Sequence, residues 1–429
     1  MTYFTVPQIE FNIQPNNLKL SIINKKDKND KDKNNKDKND KDKNNKEIDT
    51  FINPSLKIYL NKIKNLIENN LNNWDTIKKY TNPYEFIHTN IPGQRISISK
   101  IKPISRAFFK LIEIYNNHNI CINSKPIKTF HLAEGPGGFI EATTYIRNNI
   151  NDDYHGMTLI NKNNSNIPGW NKTDLLLKKF PNIHIEYGKD NTGNLYNHIN
   201  LQYCKDKYKN SMDIITGDGG FDFSIDFSQQ EKMAFRLIFT QVAYAITMQK
   251  YNGHFILKIF DIFDKASVDI IYLLSCFYET IIISKPNTSR YANSEKYIIC
   301  KHFKFINTEN ISNKLINILK ILENIDFNEY YIDSILNIPI QYYYLNCIKE
   351  INAILGQQQI NNILTTIKLI NYKDRKNDTL QNLKNNNIQK CIKWCEKNRI
   401  NYNKNYQNIN IFLGDRVKNQ KFRNNAVKK

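Results

Sequence analysis

His131-Leu132-Ala133-Glu134-Gly135-Pro136-Gly137-Gly138-Phe139-Ile140 decides how this chain is read. The apolar run Thr129 to Ala133 predicts a strand, Gly-Pro-Gly-Gly a tight turn, and a helix from about Phe139. Glycines reach positive φ and let a ligand approach the main chain with no Cβ in the way. The helix behind the turn begins with unpaired N–H groups. The whole predicts the first strand-to-helix turn of a doubly wound α/β sheet. Two other cradles are excluded by the spelling: G-x-G-x-x-G, which holds a pyrophosphate, and G-x-x-x-x-G-K-[ST], which holds a triphosphate.

An acid beside a compact glycine turn suits a ligand with a cationic amino-acid end, and S-adenosylmethionine is one. Four further segments bear on this. Ser105-Arg106-Ala107-Phe108-Phe109-Lys110-Leu111 precedes the strand, and Asp213 to Gly220 reads as a buried strand ending in Asp218 and glycines. Gly253 to Phe260 is an apolar strand interrupted by Lys258. Lys285-Pro286-Asn287-Thr288-Ser289-Arg290 leads through a loop to Ser294-Glu295-Lys296-Tyr297-Ile298-Ile299. Taken singly, each polar residue has an ordinary reading: a snorkelling lysine, a loop cap, a surface lysine, a solvated glutamate. Together, over about residues 100 to 303, the segments resemble the FtsJ-like family of RNA 2′-O-ribose methyltransferases. The resemblance is to the branch that holds the cap methyltransferases of eukaryotes and large DNA viruses.

That resemblance implies a Rossmann-like methyltransferase sheet of seven strands, the last antiparallel. It implies S-adenosylmethionine as cofactor and a catalytic tetrad of Lys110, Asp218, Lys258 and Glu295. Lys258 is the candidate base, with Lys110 as a second ammonium that depresses it, Asp218 orienting Lys258, and Glu295 holding Lys110 or the hydroxyl. Glu134, Gly135, Pro136, Gly137, Gly138, Phe139, Asp190 and Asp218 are the expected cofactor contacts, Asp190 toward adenine. Ser289 and Arg290 are expected to hold RNA backbone. After the second strand Asn161-Lys162-Asn163 stands where an acidic ribose ligand is expected, a departure from the family pattern. Trp74, Tyr84, Phe86 and Trp170 are available for stacking on bases. The turn spelling and the extension with Asn82-Pro83-Tyr84-Glu85 resemble the cap branch, and that resemblance implies capped mRNA as substrate, its first transcribed nucleotide above all. Ribosomal RNA methylation, and a catalytically silent RNA-binding or polymerase-accessory protein, are the alternatives.

Composition allows this. A formal charge of +20 suits a polyanionic partner such as RNA. The ten-residue repeat Asp27 to Lys36 and Asp37 to Lys46 adds only one net positive charge per unit, so the basicity lies elsewhere. Seven scattered cysteines form no C-x-x-C pair and no Cys/His quartet, so neither a disulfide framework nor a metal site is expected. A reducing intracellular compartment fits. Cys391 and Cys395 with Ile388 and Ile392 form one buried helix face. No membrane span or secretory signal is expected. Richness in Asn, Lys and Ile suits an A+T-rich genome such as a large DNA virus, with virion or host cytoplasm as setting. Capping or transcription machinery is the partner class in keeping with the substrate.

The expected organisation is an N-terminal segment (1–23), a disordered Lys/Asp/Asn repeat (24–47) and a helical extension (48–104). The methyltransferase domain (105–304) follows, then a helical accessory region (305–429) with a basic end, Arg416 to Lys429. Phe11 to Ile23 alternates like a strand. Leu56, Leu60, Ile63, Ile67, Leu71, Trp74 and Ile77 predict one amphipathic helix ended by Asn82-Pro83. Domain strands are expected at 129–134, 155–160, 184–188, 212–218, 253–260, 280–285 and 296–303. Ser228-Gln229-Gln230-Glu231 predicts a capping box, and Asp264 to Tyr278 a further helix.

Overall fold

The computed structural model describes residues 1–25, 50–121, 125–161, 167–220, 229–372 and 376–403. The repeat from residue 26 onward, Lys162, Asn163, Ser228 and the basic end lie outside them. In chain order the strands are β1 (Thr2–Val6), β2 (Leu18–Asn24), β3 (Lys128–Leu132), β4 (Asp153–Met157) and β5 (Ile183–Glu186). There follow β6 (Met212–Gly217), β7 (Gln249–Ile259), β8 (Tyr278–Lys285), β9 (Lys296–Phe303) and β10 (Tyr330–Leu336). The helices are α1 (Pro54–Glu68), α2 (Leu71–Thr81), α3 (Ala107–His118), α4 (Gly138–Arg147), α5 (Asp174–Lys179) and α6 (His198–Tyr208). After them come α7 (Gln230–Met248), α8 (Lys265–Phe277), α9 (Glu309–Glu323), α10 (Tyr342–Asn371) and α11 (Lys376–Lys397).

The chain divides into two compact units, Met1–Lys64 with Pro103–Ile360, and Asn65–Lys102 with Asn361–Lys429. In the first, one sheet runs β1-β8-β9-β7-β6-β3-β4-β5. Strands β3 to β7 pair in parallel, and β9 is antiparallel to both β7 and β8. Those seven strands have the arrangement the resemblance implies, and the loop 286–295 makes the expected antiparallel return. The described sheet has an eighth strand: β1 pairs antiparallel with the edge of β8, Thr2 opposite Lys285. No clear alternation marks the five residues Thr-Tyr-Phe-Thr-Val, which gain their ladder from the open edge of β8. Strand β2 falls within the alternating stretch but pairs with β10, inside the region read as wholly helical. Tyr330–Leu336 lies between two strongly helical patterns, and its pairing is non-local, which a window on the sequence does not see.

Helix α7 explains why the sheet is sealed on one side. Every residue from Phe239 to Met248 is buried, among them Phe239, Tyr244 and Ile246 with no exposed surface. A fully buried large apolar side chain contributes about 1.5–3 kcal/mol. His131, inside the opening motif, is a core histidine. Its Nδ1 meets Thr216 Oγ1 at 2.8 Å and its Nε2 meets Thr129 Oγ1 at 3.0 Å. Burial pushes its pKa down to about 3, so it stays neutral.

The one long amphipathic helix is two, α1 and α2, broken at Asn69-Asn70. The Asn70 side chain donates to the Leu66 carbonyl at 2.8 Å, competing with the helical ladder, and Leu71 is exposed. In the second unit Trp74 and Phe86 are buried core, not open stacking platforms. There Asn387 Nδ2 donates to Tyr80 O at 2.7 Å and Cys391 Sγ to Pro83 O at 3.4 Å. Cys391, Cys395, Ile388 and Ile392 are all buried along α11, as their spacing predicts.

Candidate active site

Strand β3 turns toward β4 on one side of the sheet, while β6 begins the other half. The carboxyl ends of β3 and β6 therefore flank the topological switch point, where open α/β sheets bind ligands. Glu134 follows β3 and Asp218 follows β6. Two residues about Glu134 have left-handed backbone, Ala133 (φ 52°) and Gly137 (φ 116°). Glu134 Oε1 turns inward and accepts from the N–H groups of Phe139 (2.6 Å) and Ile140 (2.9 Å). Two of the helix N–H groups that the sequence leaves open are thus taken by the motif's own acid. A Cβ on Gly138 would lie 2.1 Å from Ser105 Oγ, so this glycine lets the segment leading into α3 reach the turn. One on Gly135 would meet the Gly169 carbonyl at 2.7 Å. Phe139 is core, its ring 6.1 Å from that of Tyr297, and the Pro136 carbonyl accepts from Thr173 Oγ1 at 2.7 Å.

The capping box expected at the start of α7 turns on Ser228, outside the described residues; Glu231 is described. Glu231 Oε1 accepts from the N–H groups of Phe263 and Asp264, both at 2.8 Å, so it fixes the segment after β7.

Lys110 and Glu295 form a sealed ion pair, with Nζ 2.7 Å from Oε1 and 2.8 Å from Oε2. Lys110 is 4% exposed and Glu295 7%. Lys258 is more open. Its Nζ donates to the Asp218 carbonyl at 2.7 Å and lies 3.3 Å from Asp218 Oδ1. Tyr297 O–H donates to the same Oδ1 at 2.8 Å. The pairs feel one another. Burial lowers the proton affinity of Lys110 against the pull of Glu295, with Arg106 and Lys258 adding to the lowering. Burial alone would raise the Glu295 carboxyl, but the Lys110 ammonium, aided by Lys258 and Arg106, holds it well below the usual carboxylate range. Burial, then Asp218 and Glu295, pushes the Tyr297 phenol well up, so it remains an O–H donor.

Ser289 takes a different role from the expected one. Ser289 is buried, and its Oγ donates to Glu295 Oε1 at 2.7 Å, so it steadies the carboxylate instead of facing a ligand backbone. Arg290 is half-buried in the same loop. The Asp190 carboxylate is occupied by its own loop and by the start of α6. Its Oδ1 accepts from Thr192 N, Thr192 Oγ1 and Asn200 Nδ2, and its Oδ2 from Asn197 Nδ2, all within 2.8–3.0 Å. Trp170 packs against the cluster of Ile140, Tyr154, Leu176 and Ile183.

Sequence reasoning missed Tyr297, Lys285 and the role of Ser289. The signal for Tyr297 was register: it stands opposite Lys258 in the β7–β9 ladder. Among the described residues no group of His, Cys, Asp and Glu could hold a metal ion, and no helix is long and apolar enough to cross a membrane.

A doubly wound sheet with two carboxylates at the switch point, and two lysines beside them, is the architecture of a Rossmann-like methyltransferase. Residues 103–303 match the FtsJ-like methyltransferase family. The chain is 28% identical over 215 residues to the Cap-specific mRNA (nucleoside-2′-O-)-methyltransferase 2 of Drosophila melanogaster, covering 48% of this chain and 31% of the relative. It is 28% identical over 263 residues to the Danio rerio protein of that name, covering 58% and 35%. To the Cap-specific mRNA (nucleoside-2′-O-)-methyltransferase 1 of Mus musculus it is 30% identical over 227 residues, covering 47% and 27%. The chain thus spans about a third of the length of the curated relatives it matches.

FtsJ-like methyltransferases use S-adenosylmethionine, and the donor set suits it. Glu134 and Asp218 are near enough to repel, and burial with that repulsion pushes Glu134 up to about 8. A ligand bearing an ammonium and a sulfonium removes this penalty.

Proposed function

We propose that the chain is an S-adenosylmethionine-dependent RNA 2′-O-methyltransferase that acts on the first transcribed nucleotide of capped mRNA. The observation that carries this is the meeting of Lys110–Glu295 and Lys258–Asp218 at the carboxyl ends of β6 and β7, beside Glu134. When bound, the cofactor supplies a methyl group on a sulfonium leaving group. The protein has to place a ribose hydroxyl and receive its proton. Lys258 Nζ is the acceptor, being the less buried amine and aimed by the Asp218 carbonyl. Lys110, fixed by Glu295, orients the hydroxyl oxygen. Tyr297 and Lys258 together pin the Asp218 carboxylate, and Glu134 with Asp218 holds the cofactor's cationic end. The names of the relatives support capped mRNA as substrate. Capping or transcription machinery as partner, and a reducing intracellular setting, belong to the same proposal; the seven cysteines are all free.

The test is incubation with labelled cofactor and two short RNAs of one sequence, capped and uncapped, with nuclease mapping of the modified sugar. Label in the first nucleotide of the capped RNA alone is expected. Label within uncapped ribosomal RNA would move the substrate to ribosomal RNA. Cofactor binding with no label in either would make the chain a silent RNA-binding protein.

Glu134 gives a prediction of its own. With its pKa raised to about 8 it is mainly protonated at pH 7, and a cationic ligand favours the carboxylate. Binding therefore releases a proton, and affinity gains as pH rises toward 8. Calorimetry at pH 7 in two buffers of different ionisation enthalpy should show release approaching one proton. Glu134→Gln should abolish the buffer dependence; equal release in both proteins would remove Glu134 from the site.

A further inference from the structure

Lys285 ends β8 and is buried, yet the tetrad does not include it. Its Nζ donates to three oxygens: Asn293 O at 2.6 Å, Asn293 Oδ1 at 2.7 Å and Glu295 O at 2.6 Å. A neutral amine has two N–H donors and a lone pair, so three close oxygen acceptors require the ammonium. The three bonds draw the loop 286–295 back onto the strand it left. They fix the main chain at the residue whose carboxylate meets Lys110. Ser289 Oγ, bonded to Glu295 Oε1, is the loop's second tie to that carboxylate.

We propose that Lys285 is a positioning residue of this active site, which fixes Glu295 against Lys110 and supplies a surplus buried positive charge that sets the pH range of the reaction. The inference rests on the methyltransferase reading above. The charged groups facing Lys285 are Glu295 and Lys296 from β9 and its approach, Lys110 from α3, and Asp261 after β7. Asp261 is already paired with Lys64 of α1 at 2.7 Å, so these neighbours are three cations and two carboxylates, and the charge on Lys285 adds to a local excess of positive charge. Arg106, Lys258 and Asp218 complete the set around Lys110 and Glu295. Burial, with the Lys296 and Lys110 ammonium groups, holds the proton affinity of Lys285 well below that of an ordinary lysine, against the pull of Glu295 and Asp261. An extra positive charge disfavours protonation of every lysine near it.

Two variants test this. Lys285→Met keeps the stem and removes the charge and all three bonds. Asn293→Asp keeps the shape and both Asn293 acceptors, but places a carboxylate on Lys285 that cancels its charge. Both are expected to move the kcat–pH profile to higher pH by about half a unit or more. Lys285→Met should also lower kcat at least about tenfold, with the cofactor dissociation constant changed less than about threefold. Asn293→Asp should recover near wild-type kcat at its displaced optimum. If Lys285→Met fails to fold, Asn293→Asp alone decides. A profile for Asn293→Asp superimposable on the wild type, or wild-type kcat and profile in folded Lys285→Met, would overturn the proposal. The same displacement is read without turnover from the NMR titration of the Lys110 side-chain carbon in lysine-labelled protein. An inactive wild type would sink the methyltransferase reading, whereas an unmoved Lys110 titration would sink this one.

Discussion

Replacing Lys258 by Met should lower kcat by about 100- to 10,000-fold, the range for losing a positioned general base, while cofactor affinity stays within about threefold. The half-buried Lys258 stem is matched by Met in length and apolar character, so packing against its neighbours persists. What disappears is the amine that bonds the Asp218 carbonyl and faces its carboxylate. Asp218 keeps the Tyr297 hydroxyl, which limits the collapse of the turn after β6. Lys258→Arg separates two explanations. Arginine retains a fixed positive charge but does not give up its proton to become a base. If Lys258 receives the hydroxyl proton, the Arg variant is as inactive as the Met variant. Activity within about tenfold of wild type in Lys258→Arg, measured by single turnover on capped RNA, would show that only a cation is needed there. Lys110 would then inherit the question, because burial already lowers its proton affinity.

How far the fold was legible depended on the range of each interaction. Strands β6 to β9 came through because each contains a buried apolar run, a signal held in its own few residues, while the more polar β3 to β5 were read from the strand–helix alternation around them. Strand β1 and strand β10 did not, since each is defined by a partner hundreds of positions away, β8 for one and β2 for the other. The break between α1 and α2 was hidden because Leu71 continues the helical spacing although it points to solvent. In the site, the residues that carry charge into an apolar strand or a glycine turn stood out: Lys258 amid Phe255 to Phe260, and Glu134 before its glycines. The direction of a side chain did not. Ser289, expected to hold RNA backbone, is instead folded under to Glu295, and Asp190 spends its oxygens on its own loop and on Asn200 of α6. Lys285 was passed over because Lys-Pro reads as the end of a strand, and its three oxygen partners come from a loop whose shape only tertiary structure sets.

Glu295→Leu should be the most destabilising of the charge-removing changes at this site, and the most instructive when paired. It leaves the Lys110 ammonium buried with no carboxylate in reach, a defect that costs about 3–5 kcal/mol. For a domain of this size that is a fall in Tm on the order of 10 °C. The Ser289 hydroxyl loses its acceptor as well, while Lys285 still holds the Glu295 main-chain oxygen, so the loop keeps one of its two ties. Removing the stranded charge too, in Lys110→Met/Glu295→Leu, should restore most of the lost stability, since a buried pair exchanged for apolar groups of like volume is close to neutral. Turnover should stay lost in both, at least about 100-fold down. The pH dependence carries a sign. The folded carboxyl of Glu295 is held below its unfolded value, chiefly by Lys110 once the cost of burial is overcome. Its contribution is therefore complete above the ordinary Glu pKa of about 4.3 and is lost as pH falls toward the folded value. The Tm gap between wild type and Glu295→Leu should accordingly be constant from pH 6 to 8 and shrink below about pH 4. Thermal melts of the three proteins across that range check all of it. A double variant no more stable than Glu295→Leu would mean that the pair is needed for packing rather than charge balance. A double variant that regained methyl transfer would remove Lys110 and Glu295 from the chemistry altogether.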